Sequence, residues 1–165
     1  MLPMISVVGN SKSGKTTLIE KLIPELKKRG YRIGIIKHTH HDVDLDTKGK
    51  DSWRHKAAGA DTVIIASREK IVMVKDENSA GLEHLGKYFD DVDLVITEGF
   101  KKENRPKIEI YRSPKNSAPL CQNNKTVIAL VTDTDIRVNV PVFGVEAIQS
   151  LADFIEKKYL CTEKI

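Results

Sequence analysis

Apolar residues along this chain come in short β-branched runs separated by longer stretches that carry a helical stripe. Met4–Val8 is one such run and stops at Gly9, as a strand buried on both faces does. Over residues 16–29 the apolar positions Leu18, Ile19, Leu22, Ile23 and Leu26 form one helical face. Lys27, Lys28 and Arg29 stand near the negative end of that helix and Gly30 caps it. Pro24 removes a backbone donor inside the helix and predicts a bend near Glu20. Strand, glycine-containing turn and helix form the opening unit.

Residues 32–37 read as a second strand, 38–50 as a polar stretch, and 51–58 as a short helix begun by Asp51 or Ser52. Thr62–Ala66 and residues 70–74, separated by Ser67-Arg68-Glu69, read as a β-hairpin, which makes the sheet mixed. A helix around 80–89, a strand at 93–97, a basic loop at 101–105 and a strand at 107–111 follow. Residues 113–124, rich in Pro, Ser and Asn, read as a loop. Residues 126–131 are another strand, and 140–143 are a short edge strand interrupted by Pro141. Ala147, Ile148, Leu151, Ala152 and Ile155 stripe a last helix. This alternation predicts an α/β fold: a mostly parallel, mixed sheet with helices on both faces and a hairpin insertion. No repeat or linker divides the 165 residues, which read as one domain, 1–165.

Composition narrows the function classes. With 40% hydrophobic and 30% charged residues there is apolar material for a core and too much of it for a disordered polyelectrolyte. The net charge of +4 is spread along the chain, and Trp53, Phe89, Phe100 and Tyr111 are too scattered for a base-stacking platform; no nucleic-acid partner is expected. Two cysteines 40 positions apart make neither a disulfide framework nor a thiolate metal site, which fits a reducing cytoplasm. Lys12 and Lys15 interrupt the first apolar run before a signal core forms. No run approaches the roughly 18 residues that span a bilayer, so a soluble protein without membrane contact is expected.

The strongest chemistry lies between the first strand and the first helix. Gly9-Asn10-Ser11-Lys12-Ser13-Gly14-Lys15-Thr16 matches G-x-x-x-x-G-K-[ST] at every fixed position. Chance produces such a match in roughly half a percent of chains this long. The glycines let backbone N–H groups turn around phosphate oxygens, and the helix N-terminus adds unpaired donors and a positive dipole end. Lys15 reaches β- and γ-phosphates, Thr16 offers its hydroxyl to Mg2+, and Thr17 contacts the α-phosphate. This makes the fold expectation a P-loop NTPase.

A second carboxylate for the metal is expected at the end of a neighbouring strand. Asp93-Leu94-Val95-Ile96-Thr97-Glu98-Gly99 supplies Glu98, with Gly99 allowing close backbone approach. The segment from His38 to Asp46, with His40, His41, Asp42 and Asp44, admits three readings: a transition-metal site, a switch-like loop sensing a phosphate or a second anion, or a solvated loop. Asp44, Asp46 and Asp51 are candidates to meet Mg2+ or orient water, Asp51 being taken as the catalytic one. Arg54, Lys101, Lys102 and Arg105 are cations for an acidic substrate or partner, or ordinary surface charges. After the late strand, Val131-Thr132-Asp133-Thr134-Asp135 keeps only the final carboxylate of the guanine-reading N-K-x-D, so Asp135 is the base-recognition candidate; it could equally form a turn.

Taken together, the phosphate loop, K-H-T-H-H-D-V-D-L-D from Lys37, G-K-D-S-W-R-H-K-A-A-G-A from Gly49, D-L-V-I-T-E-G-F-K from Asp93 and A-L-V-T-D from Ala129 resemble the molybdopterin-guanine dinucleotide biosynthesis protein B family. The resemblance runs from Met4 to the final helix. It implies a GTP-binding protein with slow GTPase activity, using GTP and Mg2+, that acts as adaptor to the molybdenum cofactor guanylyltransferase. Molybdopterin itself is a candidate ligand. It also implies a homodimer joined through sheet elements, with the 62–74 hairpin the natural contact. By this likeness Gly9, Asn10, Ser11, Lys12, Ser13, Gly14, Lys15, Thr16 and Thr17 serve phosphate and Mg2+, and Glu98 serves the metal. The stretch from His38 to Asp46 becomes a ligand or partner surface. Asn10 stands where related dimeric NTPases carry a second lysine. A small-molecule kinase and a non-hydrolytic, nucleotide-gated binding protein are the alternatives.

Overall fold

Five β-branched runs and a two-residue edge segment assemble into one six-stranded sheet. In a computed structural model describing residues 2–39, 46–77, 81–112 and 118–161, these strands are β1 (Met4–Val8), β2 (Ile33–Lys37), β5 (Leu94–Glu98), β6 (Lys107–Tyr111), β7 (Val127–Thr132) and β8 (Val142–Phe143). Their order is β2-β5-β1-β6-β7-β8 and every pairing is parallel. Parallel neighbours require crossovers, so all the strands end on one edge, and the loops after β1, β5, β6 and β7 emerge together there.

Side-chain alternation divides the two faces of this sheet. Ile5, Val7, Ile96, Ile108 and Val131 point to the face on which two helices pack, α1 (Lys15–Lys28) and α4 (Ile148–Ile155), through Leu18, Leu22 and Leu26 of one and Leu151 and Ile155 of the other. At the far end of α1, Arg29 donates to Glu25, Asp153 and Glu156, pinning the helices to each other. Tyr31 donates to Glu156 at 2.8 Å, and that bond pushes its hydroxyl up to about 12. The opposite face buries polar groups in satisfied pairs. Thr97 Oγ1 donates to Ser6 Oγ at 2.8 Å. Lys107 Nζ donates to Thr126 Oγ1 at 2.7 Å, to the Arg105 carbonyl at 3.1 Å and to the Glu103 carbonyl, while burial pulls its pKa down. Glu109 accepts from the N–H groups of Leu120 and Cys121 at 2.8 and 3.0 Å, tying the 120–122 turn to β6.

One domain over 1–165 is the sequence expectation; the chain packs as two compact units, Met1–Thr39 with Phe89–Ile165, and His40–Tyr88. The second unit contains α2 (Asp51–Ala57), the antiparallel hairpin of β3 (Thr62–Ala66) and β4 (Ile71–Lys75), and α3 (Leu82–Leu85). The hairpin forms its own two-stranded sheet, so antiparallel pairing stays apart from the parallel sheet. Ser67 closes its turn, the N–H donating to the Lys70 carbonyl at 2.8 Å and Oγ accepting from the Lys70 N–H at 3.0 Å.

Element boundaries differ from the sequence pattern in identifiable places. The helix expected over 80–89 is one α-helical turn followed by a 3-10 turn, Gly86–Tyr88, because Gly86 is a poor helix former exactly where the short Leu82, Leu85 stripe runs out; Ala80 lies outside the described residues. The edge strand expected over 140–143 is only Val142–Phe143, since Pro141 has no N–H to donate, though its carbonyl accepts from Leu130. The first helix continues across Pro24 and ends in a reversal in which the Gly30 N–H donates to Lys27 O and the Tyr31 N–H to Leu26 O. After α4 the backbone widens into a π-turn, Glu156–Leu160. No helix among the described residues is long and apolar enough to cross a membrane.

Candidate functional site

The phosphate loop is shaped first by its neighbours. A Cβ on Gly9 would lie 2.5 Å from the Ile110 carbonyl oxygen and 2.6 Å from Ser13 Oγ, so the chain leaves β1 flush against β6 only because no side chain is present. Lys12 (φ 60°) and Gly14 (φ 99°) then turn the backbone through the left-handed region and deliver it into α1. The Leu18 N–H donates to the Gly14 carbonyl at 2.9 Å, and no side chain caps this helix. The amides of Lys15, Thr16 and Thr17 precede that first bond and are the orphan donors of the helix start, facing the sheet edge where the loops emerge.

Lys15 folds back over this loop, Nζ donating to the Asn10 carbonyl at 2.9 Å and the Gly9 carbonyl at 3.4 Å. Burial lowers its pKa below the ordinary lysine value; Glu98 opposes that shift and the positive charge of Lys101 adds to it. Thr16 Oγ1 donates to Glu98 Oε1 at 2.9 Å across 82 residues of sequence. Glu98 is held at the end of β5, in register with Val7 of β1 and Lys37 of β2. A hydroxyl and a carboxylate meeting beside a lysine-bearing loop are hard oxygen donors suited to Mg2+, and the residues expected to hold it are adjacent.

Ser13 is buried, and among the described residues its Oγ is the buried side-chain polar atom without a hydrogen-bond partner. Sequence reading counted Ser13 only as one position of the motif. It also passed over Arg112, the first residue after β6, whose guanidinium carbon lies 4.0 Å from where a Gly14 Cβ would stand. The signal for Arg112 was a cation immediately past a strand on the ligand-binding edge. Both residues line a small recess of about 70 Å³ beside the loop, with Asn10, Glu109 and Leu120.

The remaining candidates are placed as follows. Asp135 is exposed in the segment after β7, where Thr132 Oγ1 accepts from the Thr134 N–H at 3.1 Å. Asp51 belongs to the second unit, at the first turn of α2, and pairs with Arg54 at 3.7 Å. Asp46, in that same unit, accepts from the Thr47 N–H at 2.8 Å and Ser52 Oγ at 3.1 Å, a turn-forming role. With Lys50, Asp51, His55 and the hairpin face it borders an open groove. His38 is the first residue after β2 and its ring lies 4.7 Å from that of Phe100. His40, His41, Asp42 and Asp44 lie outside the described residues. Among the described residues no three His, Cys, Asp or Glu side chains converge as a metal set.

Comparison with known proteins matches residues 4–133 to the family model described as molybdopterin guanine dinucleotide synthesis protein B. A molybdopterin-guanine dinucleotide biosynthesis adapter protein of Haemophilus influenzae is 41% identical over 158 residues, covering 94% of this chain and 88% of that relative. Its counterpart of the same name in Escherichia coli is 38% identical over 161 residues, covering 94% and 92%. A crystal structure of a molybdopterin-guanine biosynthesis protein B superposes with a TM-score of 0.74 at 31% identity, over 93% of this chain and 97% of the other.

Proposed function

The chain belongs to the molybdopterin guanine dinucleotide synthesis protein B family, and on that premise we propose that it is a cytoplasmic, GTP-binding adapter with slow GTPase activity in molybdopterin-guanine dinucleotide biosynthesis. The reading rests on one observation above the others: Thr16 Oγ1 and Glu98 Oε1 meet at 2.9 Å beside Lys15 and the orphan amides of α1. In this reading the loop amides and Lys15 bind the β- and γ-phosphates. Thr16 and Glu98 would hold Mg2+, which supplies charge neutralisation at those phosphates. Asp135 selects guanine. Water is the phosphoryl acceptor, and turnover is slow because no glutamine following a D-x-x-G element orients that water.

The adapter role is supported by the relatives named above, which share most of this chain's length. The partner in this reading is the guanylyltransferase that attaches the nucleotide, with molybdopterin as a further candidate ligand. Self-association through the hairpin is supported by the apolar side chains it exposes, Ile64, Ile65, Ile71, Val72 and Met73.

Titration calorimetry with GTP, ATP and Mg2+ tests the reading. Lys15→Ala is expected to abolish nucleotide binding with the fold intact, and Glu98→Gln to depress Mg2+-dependent hydrolysis more than affinity. GTP is expected to displace ATP. Wild-type affinity in Lys15→Ala would remove the phosphate-site assignment, and better displacement by ATP would remove the role of Asp135.

A further inference from the structure

Arg112, the first residue after β6, occupies a position that is unfavourable for a cation unless an anion joins it. Its guanidinium carbon lies 4.0 Å, and Ile110 Cδ1 3.3 Å, from the place a Gly14 side chain would fill, so Arg112 rests against the amino end of α1. That end carries the positive pole of the helix dipole, and Lys15 is the first residue of the helix. Among the described residues the Arg112 guanidinium has neither an ion pair nor a hydrogen bond. A cation held there without a carboxylate is repelled, and a polyanion between it and the helix reverses the sign.

A second observation points to the same place. Ser13 is 6% exposed, and its Oγ has no hydrogen-bond partner among the described residues. A buried hydroxyl left unpaired is costly, and an oxygen acceptor entering beside it removes that cost. Ser13 and Arg112 both line the recess of about 70 Å³ beside the loop. Pockets that enclose a whole small molecule measure about 300–1,000 Å³, so this one admits a single group of a larger ligand. Glu109 lines it too, but its two carboxylate oxygens already accept from the N–H groups of Leu120 and Cys121 at 2.8 and 3.0 Å.

Strand order says which group that is. The sequence β5-β1-β6-β7 sets Glu98 on one side of the phosphate loop and Arg112, then Asp135, on the other. A nucleotide with its terminal phosphates at Thr16 and Glu98 and its base toward Asp135 crosses the end of β6 with the phosphate that joins the nucleoside. Resting on the nucleotide reading, we infer that Ser13 and Arg112 form a subsite for this α-phosphate, the guanidinium supplying charge and forked donors and Ser13 Oγ a further donor. Thr17, the neighbouring candidate for the same phosphate, brings no charge. The subsite holds diphosphate and triphosphate alike, because both carry the group it grips.

The test is calorimetric binding of GTP, GDP and inorganic pyrophosphate, each with Mg2+, to the full chain. Arg112→Met is expected to weaken GTP and GDP alike by about 10- to 100-fold, the range of one hydrogen bond to a charged group. Pyrophosphate has no nucleoside-linked phosphate and should weaken by less than about threefold. Arg112→Lys should recover only part of the loss, a point charge replacing a fork. Ser13→Ala breaks no side-chain bond of the ligand-free protein, so it should keep the thermal midpoint and weaken GTP and GDP about 3- to 10-fold. Equal losses for all three ligands, or wild-type affinity for GTP in either Arg112→Met or Ser13→Ala, would overturn the inference and leave the phosphate loop standing. So would inorganic phosphate binding to the GTP-saturated protein that Arg112→Met abolishes at unchanged GTP affinity, since the recess would then serve a separate phosphate. Failure of the wild type to bind any of the three would remove the nucleotide reading itself.

Discussion

Replacing Gly9 by alanine adds one methyl group at the most crowded point of the site. The new carbon would stand 2.5 Å from the Ile110 carbonyl oxygen and 3.0 Å from Ile110 Cγ2. Carbon and oxygen in ordinary contact lie about 3.3 Å apart, an overlap of about 0.8 Å. The oxygen belongs to the backbone of β6, which pairs with β1 on one side and β7 on the other, so it cannot swing away as a side chain tip would. Relief must come from separating strands or lifting the loop, and overpacking of this kind costs about 1–3 kcal/mol. For a domain of this size that is a fall in Tm of about 3–10 °C. Urea unfolding followed by circular dichroism measures it. With m near 2 kcal/mol/M, a 2 kcal/mol loss moves the midpoint down by about 1 M at unchanged m. The experiment needs no ligand, so it isolates the tertiary demand for glycine from any demand made by phosphate. A midpoint within about 0.2 M of wild type would show that the loop yields freely, and the steric account of Gly9 would fail.

Two further outcomes follow from charges and exposed surface. Because the pKa of Lys15 lies below 10.5, its ammonium is lost at lower pH than that of a free lysine, so triphosphate affinity should decline on the alkaline side before pH 10.5. The sign for folding is opposite: a depressed lysine pKa disfavours the folded state while charged, so the ligand-free protein should gain stability as pH rises through the depressed value. Affinity flat up to pH 10.5 would contradict the partial burial of Lys15. Ile71 is 74% exposed and Ile64 59% exposed on the hairpin, so in the proposed homodimer Ile71→Glu should shift the equilibrium toward monomer in sedimentation velocity. An unchanged sedimentation coefficient would remove the hairpin from the proposed dimer contact.

Local chemistry made much of this protein legible from its residues alone. The run at Met4–Val8, the loop to Thr16 and the stripe through Leu26 each depend on neighbours within a few positions, and they form the expected strand, turn and helix. The helix expected over 80–89 is shorter for an equally local reason. Gly86 acts on the single turn it occupies, which a hydrophobic pattern averaged over ten residues does not resolve.

What only the tertiary structure decided is which distant residues become neighbours. Glu98 reaches Thr16 because β5 lies beside β1, a choice of strand order that parallel crossovers make across 82 residues. The hairpin pairs with itself, so Asp51 and the 62–75 strands belong to a different unit from Lys15 and Glu98. The need for glycine at position 9 likewise comes from Ile110, about a hundred residues away. Residue type and short-range spacing set what each segment can become. Packing of segments far apart in the chain sets which chemical groups meet, and that depends on shape and burial that no local window contains.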